Sequence, residues 1–306
     1  MKYGVVVFGV KDTSESIIRY IHENITKVNL VITISSKVLE KNHVAGFKGL
    51  KILEQELGIP VKEIDSYGMK DEKTQQFFAE NEFEIGISMG WQRLIPEEVL
   101  NRFEYGVYGF HGSCGYLPFG RGRSPLNWSI ISGDSRFILN MFRYDKNADS
   151  PNIFANEMFA INEHDTIRTL QYKNVICSKR LIQKLLRAYM QKEISICTQS
   201  KDFDSWYRTR TAADGKIDFH CRTREIYNLI RGVTAPFPGA FAMIKDKKII
   251  IWDAVPFDEM LDFSQYAPGE IIDIYDNNLI IRTLDGSLLI RKYDYEGNIT
   301  AGDVLV

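Results

Sequence analysis

Long hydrophobic runs are missing from this chain of 306 residues. No stretch approaches the roughly 18 consecutive apolar residues that a membrane-spanning helix needs, so no span is expected. The opening MKYGVVVFG is too short an apolar run for a secretory leader and reads as a first β-strand. Cysteine is scarce and scattered: Cys114, Cys177, Cys197 and Cys221 form no C-x-x-C pair. That argues against a disulfide frame and against a zinc site, so no metal is expected. It fits reduced, mostly buried thiols in a cytoplasmic protein. A dominant charge is missing too. Lys and Arg number 38 against 40 Asp and Glu, for a net charge of −2, which is no electrostatic footprint for nucleic acid. The first strand runs into GVKDTS instead of G-x-G-x-x-G. That excludes a dinucleotide-phosphate loop, and with it the nicotinamide dehydrogenases. Internal repeats and low-complexity runs are absent as well.

What is present is an alternation of apolar strands and amphipathic helices. GVVVFG (4–9) and 28–34 read as buried strands; a helix from Asp12 to Glu23 places Ile17, Ile18 and Ile21 on one face. Helices over 49–57 and 72–80 and strands near 59–61, 84–88 and 106–110 follow. The long periodic stretch 164–191 is a helix packing on the sheet. The polar segment 35–48 reads first as a solvated connection, with substrate contact as its functional alternative. Such alternation implies right-handed crossovers and an α/β, Rossmann-like, mainly parallel sheet. The pattern changes at 200–220, which is polar and aromatic and reads as a linker. A helix over 223–233 and five short strands after Gly239 then suggest a small, OB-like β-barrel, with hairpin signals at Asp276-Asn277-Asn278 and Asp285-Gly286. The expected domains are therefore 1–200 and 201–306.

The stretch that organises the rest is YGVYGFHGSCGYLPFGRGRSPLNWSIISGDSRFILNMFRYDKNAD (105–149). His111 is expected just past a strand end, among glycines that let backbone approach a ligand closely. Ser124-Pro125 opens a helix, Ser suiting the N-cap and Pro the first turn. Asp145 and Asp149 lie beyond the next strand. A strand-end histidine with a carboxylate from a neighbouring strand end can form an acid/base pair. A loop histidine with a structural hydrogen bond is the plainer alternative.

At these residues the chain resembles the formyltransferases that use N10-formyltetrahydrofolate. The resemblance rests on His111, Leu117-Pro118, Arg121-Gly122, Pro125, Trp128, Gly133-Asp134 and Asp149. It continues in Arg210, Asp214-Gly215, Ile217-Asp218-Phe219 and the run Ile230-Arg231 to Pro236-Phe237-Pro238-Gly239-Ala240. It covers nearly the whole chain and implies the formyltransferase fold, with N10-formyltetrahydrofolate as formyl donor. It also implies His111 as acid/base and Asp149 orienting it. A donor pocket is implied around Met89, Trp91, Gln92, Leu94, Ile95, Leu117 and Asp145; the alternative is that Trp91, Leu94 and Ile95 are core, the two readings weighing equally for Leu94 and Ile95. Two residues extra between His111 and Pro118 are carried by every later landmark, which supports Asp149 over Asp145 as the family's aspartate.

One departure bears on the chemistry. The family's asparagine should stand two residues before His111, where this chain has Gly109. The implied reaction is attack of a primary amine on the formyl carbon, which requires a proton acceptor, a stabiliser of the oxyanion and a donor to the leaving nitrogen. Histidine accepts and donates near neutral pH, and an adjacent carboxylate favours its cation. The asparagine amide helps bind the formyl oxygen, and losing such a donor costs about 2.7–4 kcal/mol in comparable sites. A replacement from Ser113, Gln92, Tyr108 or a freed backbone N–H is expected. The alternatives are a slow enzyme and a catalytically silent folate or sugar-nucleotide binder.

The acceptors of the family are methionyl-tRNA or a nucleotide-linked amino sugar. The balanced charge argues for a small-molecule sugar and against a tRNA stem. Trp206, Tyr207, Phe219, Tyr227 and Phe237 around Arg208 and Arg210 suit a base and a diphosphate, with Arg121 a further candidate for the substrate. Filling an interdomain seam is the alternative role of those aromatics. The expected function is sugar N-formyl transfer in surface-polysaccharide or glycan assembly, ahead of a methionyl-tRNA enzyme. The β-rich C-terminal part leaves room for a homodimer.

Overall fold

The computed structural model describes residues 1–41, 47–145, 152–198, 204–258 and 260–306. In the first half the elements are β1 (Lys2–Gly9), α1 (Asp12–Asn24), β2 (Val28–Ile34), α2 (Ser36–Lys41), α3 (Ile52–Leu57), β3 (Val61–Ile64), α4 (Glu72–Ala79), β4 (Glu82–Met89), α5 (Glu97–Leu100) and β5 (Phe103–Ser113). Then come β6 (Arg121–Gly122), α6 (Pro125–Ile131), β7 (Arg136–Arg143), β8 (Asn152–Ala160), α7 (Ile167–Gln191), β9 (Cys197–Thr198) and β10 (Trp206–Tyr207). The last are α8 (Thr223–Val233), β11 (Ala240–Ile244), β12 (Lys247–Asp258), β13 (Ile271–Tyr275), β14 (Asn278–Arg282) and β15 (Ser287–Asp294). Two compact units result: Met1–Arg121 with Ile138–Met158 and Asn174–Ser205, and Gly122–Phe137 with Phe159–Lys173 and Trp206–Val306.

In the first unit the strand order is β3-β2-β1-β4-β5-β7-β8-β9. The pairs from β3 to β5 are parallel, whereas β7 runs antiparallel to β5 and β9 antiparallel to β8. The continuous apolar runs of β1 and β2 follow from this, since parallel strands are covered on both faces. Val6, Phe8, Leu30, Ile32, Phe83 and Val107 share one core with Phe78 of α4 and Trp91. Ile17, Ile18 and Ile21 of α1 are fully buried, as their spacing requires.

In the second unit α8 packs against a five-stranded antiparallel sheet ordered β11-β12-β15-β14-β13. Its core is Ile226, Ile230 and Val233 of the helix against Ile249, Ile251, Leu279, Leu288 and Ile290. The chain end joins the two edges. Met243 and Val306 exchange backbone hydrogen bonds of 2.7 and 2.9 Å, and Ile271 N donates to Asp303 O at 2.9 Å. Strand-like pairing by 303–306 covers edges that would otherwise expose unpaired amides.

Several expectations change. The segment 200–220 is more than a linker, since it carries β10 and a 3₁₀ turn at Ala212–Gly215. Only Cys177 of the four free thiols is buried; Cys197 is exposed and the others are half-buried. Ser124 precedes α6 in the left-handed region (φ 58°) and its side chain makes no cap hydrogen bond. Pro125 at the first helical position still starts the helix without wasting an amide. Among the described residues no helix is long and apolar enough to cross a membrane.

Candidate active site

His111 lies inside β5, not past its end, because the strand continues to Ser113 through antiparallel pairing with β7. The pairing sets His111 opposite Asn140. The imidazole is buried, and its Nε2 lies 2.7 Å from the Gly120 carbonyl. A carbonyl only accepts, so Nε2 carries the hydrogen, and the basic lone pair of the neutral ring is on Nδ1. Asn140 is fully buried; its Nδ2 reaches the His111 carbonyl at 3.4 Å and its Oδ1 has no hydrogen-bond partner among the described residues. Asp149 lies outside the described residues. Asp145 lies two residues beyond the end of β7 and is half-buried.

The loop after His111 is built from inside. Ser113 Oγ lies 2.8 Å from both the Gly115 and Phe119 carbonyls and accepts from Gly115 N at 3.2 Å. These bonds commit its hydroxyl to shaping the loop, which removes it as a replacement for the missing amide. Gly120 N donates to Ser205 Oγ at 2.8 Å, fixing the carbonyl that holds His111. Tyr108 is removed as well. It alternates to the opposite face of β5 from His111 and is buried edge-to-face against Phe154.

β4 leads into the residues expected to contact the donor. Met89 ends the strand, and Gly90 (φ 77°) turns the chain. A Cβ there would stand 2.9 Å from Ser14 Oγ and 3.3 Å from Lys11 Cδ. Lys11 is a residue the sequence reading missed; burial pushes its ammonium below the ordinary lysine range. Trp91 and Ile95 belong to the core, Trp91 edge-to-face with Tyr67 at 4.9 Å, and Leu117 is buried. Gln92 N donates to Tyr67 Oη at 3.0 Å. Leu94, by contrast, is 62% exposed.

The second unit gathers Arg208 and Arg210 on one ring. Their guanidinium carbons lie 4.9 and 5.9 Å from the Trp128 centroid, and Tyr207 stacks near-parallel to Trp128 at 6.4 Å. Trp128 Nε1 donates to the Arg208 carbonyl at 3.0 Å. Arg208 also pairs with Asp214. Arg210 is half-buried, and burial lowers its pKa. In the first unit Arg121 pairs with Asp204 at 3.3 Å. Trp206 is exposed, and Phe219 and Tyr227 belong to the barrel core instead.

Residues 1–186 match the formyl transferase family and residues 210–302 match the formyl transferase C-terminal domain, so the chain belongs to the formyl transferases. Over 213 residues it is 34% identical to the bifunctional polymyxin resistance protein ArnA of Wigglesworthia glossinidia brevipalpis. That match covers 69% of this chain and 31% of the relative, so the chain spans about a third of that protein. WlaRD, a sugar 3N-formyl transferase crystallised with dTDP and 5-N-formyl-THF, shares the fold. Its TM-score is 0.66 at 17% identity, over 94% of this chain and 97% of WlaRD. So does an N-formyltransferase from Helicobacter canadensis solved with folinic acid and dTDP-3-aminofucose, with a TM-score of 0.67 at 17% identity over 95% and 99% of the two chains. HypX of Aquifex aeolicus, solved with tetrahydrofolic acid, aligns over 94% of this chain and 43% of its own length, with a TM-score of 0.65 at 16% identity.

Proposed function

We propose that this chain transfers the formyl group of N10-formyltetrahydrofolate to the primary amine of a nucleotide-linked amino sugar. The observation that carries the proposal is the commitment of His111 Nε2–H to the Gly120 carbonyl, which leaves Nδ1 as the only basic atom of the neutral ring. His111 takes the amine proton on Nδ1 and returns it to the departing nitrogen, with Nε2 anchored throughout. Asp149 keeps its proposed part of favouring the cationic ring.

The pocket residues fit the donor. Met89, Trp91, Ile95 and Leu117 supply buried apolar surface, Leu94 an exposed flap, and the turn at Gly90 bare backbone; the indole Nε1 of Trp91 has no hydrogen-bond partner among the described residues. Apolar walls with a few polar groups suit a flat heterocycle with a polar edge. Bound there, the folate supplies an activated one-carbon group. Gln92 and Asp145 are the proposed polar contacts.

Arg208 and Arg210 over Trp128 support the acceptor class. Two guanidiniums beside an indole face suit a base and a diphosphate. Arg121 of the first unit is proposed as a separate substrate contact. The near-neutral total charge favours this over a tRNA stem. Incubation with N10-formyltetrahydrofolate and a panel of dTDP- and UDP-linked amino sugars, with methionyl-tRNA alongside, tests the reading by mass spectrometry. A sugar gaining one formyl group is expected. Formylation of methionyl-tRNA alone would overturn the acceptor, and no formylated product would overturn the activity.

A further inference from the structure

Position 109 is not empty space. Gly109 and His111 share one face of β5, since side chains alternate along a strand. A Cβ built on Gly109 would stand 2.0 Å from Tyr144 Oη and 2.2 Å from Tyr144 Cζ. The phenol fills the volume that any side chain at 109 would need.

Tyr144 is seated from several sides. Its backbone N donates to the Val107 carbonyl at 2.7 Å, tying the end of β7 to β5. Its ring packs on the core beneath β4 and β5 and lies 5.4 Å from the Phe142 ring. Its hydroxyl donates to Ser88 Oγ at 3.3 Å. Ile87 pairs with Tyr108 in the parallel ladder. Ser88 is therefore beside Gly109, one residue before the Met89 that opens the donor pocket. A hydroxyl thus stands where the strand carrying His111 and the strand leading into the pocket meet.

We infer that Tyr144 Oη is the hydrogen-bond donor to the formyl oxygen, taking the place of a side chain at residue 109. The inference rests on the formyl-transfer reading. As the amine nitrogen bonds to the formyl carbon, the carbonyl electron pair moves onto oxygen. It returns as the bond from carbon to N10 breaks, and the amine proton passes through His111 Nδ1 to N10. A phenol O–H aimed at that oxygen stabilises its charge without giving up the proton. Ser88, 3% exposed, is placed to reverse its bond and donate to Tyr144 Oη, so the phenol oxygen keeps a partner while its own proton points at the ligand. Gly109 is then a requirement of the device: a side chain there would expel the phenol.

Two measurements on the full chain test this. First, wild type and Tyr144→Phe are titrated with a stable N10-formyl deazafolate and its unformylated parent. Wild type should prefer the formylated compound, and Tyr144→Phe should lose about fivefold of that preference, the worth of one hydrogen bond. With formyl donor and sugar acceptor, kcat should fall about a hundredfold with KM within about twofold. Second, Gly109→Ala should lower Tm in the wild-type background and much less in Tyr144→Ala, because the clash is with the phenol. An unchanged analogue preference in Tyr144→Phe, or equal Tm losses in the two backgrounds, would overturn the inference. Failure of the wild type to formylate any amine would sink the formyl-transfer reading, and the analogue titration would still decide whether Tyr144 faces the formyl oxygen.

Discussion

Ser14 Oγ donates to the Met89 carbonyl at 2.6 Å and accepts from Val10 N and Lys11 N at 3.3 and 3.1 Å. One fully buried hydroxyl therefore starts α1, closes the end of β1 and fixes the end of β4 at Met89. The first and fourth strands are neighbours in the sheet, and this bond locks their carboxyl ends together.

Ser14→Ala removes that lock and leaves a buried carbonyl and two amides short of a partner. A loss of about 1–3 kcal/mol is expected, a Tm decrease of several degrees. Folate affinity should fall with it, since Met89 and Gly90 are no longer held. Thermal unfolding together with a binding titration checks both; an unchanged Tm would contradict the role.

His111→Gln keeps a donor in reach of the Gly120 carbonyl but has no basic nitrogen. Turnover should drop by about 10²–10⁴, the usual worth of a general base, with Tm within a few degrees of wild type. Steady-state kinetics and calorimetry on the same samples separate this from misfolding.

Arg231 is buried at the end of α8. It donates to Asn228 Oδ1 at 2.8 and 3.0 Å, to the Asn162 carbonyl at 3.0 Å and to the Asp165 carbonyl at 2.8 Å. Burial lowers its pKa, yet those acceptors keep it satisfied. Arg231→Ala strands three acceptors and should cost about 3 kcal/mol. Arg231→Lys should recover only part, because an ammonium cannot span the fork. Denaturant melts of both variants provide the comparison.

The Thr211 backbone N–H and Arg208 hold the Asp214 carboxyl down to about 2, below its ordinary 3.8. A depressed pKa means the stabilisation is present above the ordinary value and is lost as pH falls through about 2. A carboxyl-detected NMR titration should place the wild-type midpoint near 2, and Arg208→Ala should move it upward. A wild-type midpoint at the ordinary value would contradict the pairing over Trp128.

Periodicity made much of the frame legible. The β1 and β2 runs, the Ile17-Ile18-Ile21 face of α1 and the Ile226-Ile230-Val233 face of α8 follow from burial, which is written residue by residue. His111 and the loop to Arg121 were legible as a motif. The strand around His111 was misplaced because its extension depends on pairing with Asn140, 29 positions away. Lys11 and Tyr144 gave no signal, and Ser14 read only as part of a helix cap, since a polar residue after a strand looks the same whether it faces solvent or a buried carbonyl. The barrel closure was equally silent, because 303–306 is too short to read as a strand.

By itself the sequence determined the fold class and the family. These depend on which residue types recur at which spacing, and spacing is a property of the chain. Tertiary structure alone decided which ring nitrogen of His111 is left basic, that Arg208 and Arg210 share one indole, and that a tyrosine 35 residues downstream stands in the space of Gly109. Each of those is a distance of a few ångströms between segments far apart in the chain, and only packing sets such distances.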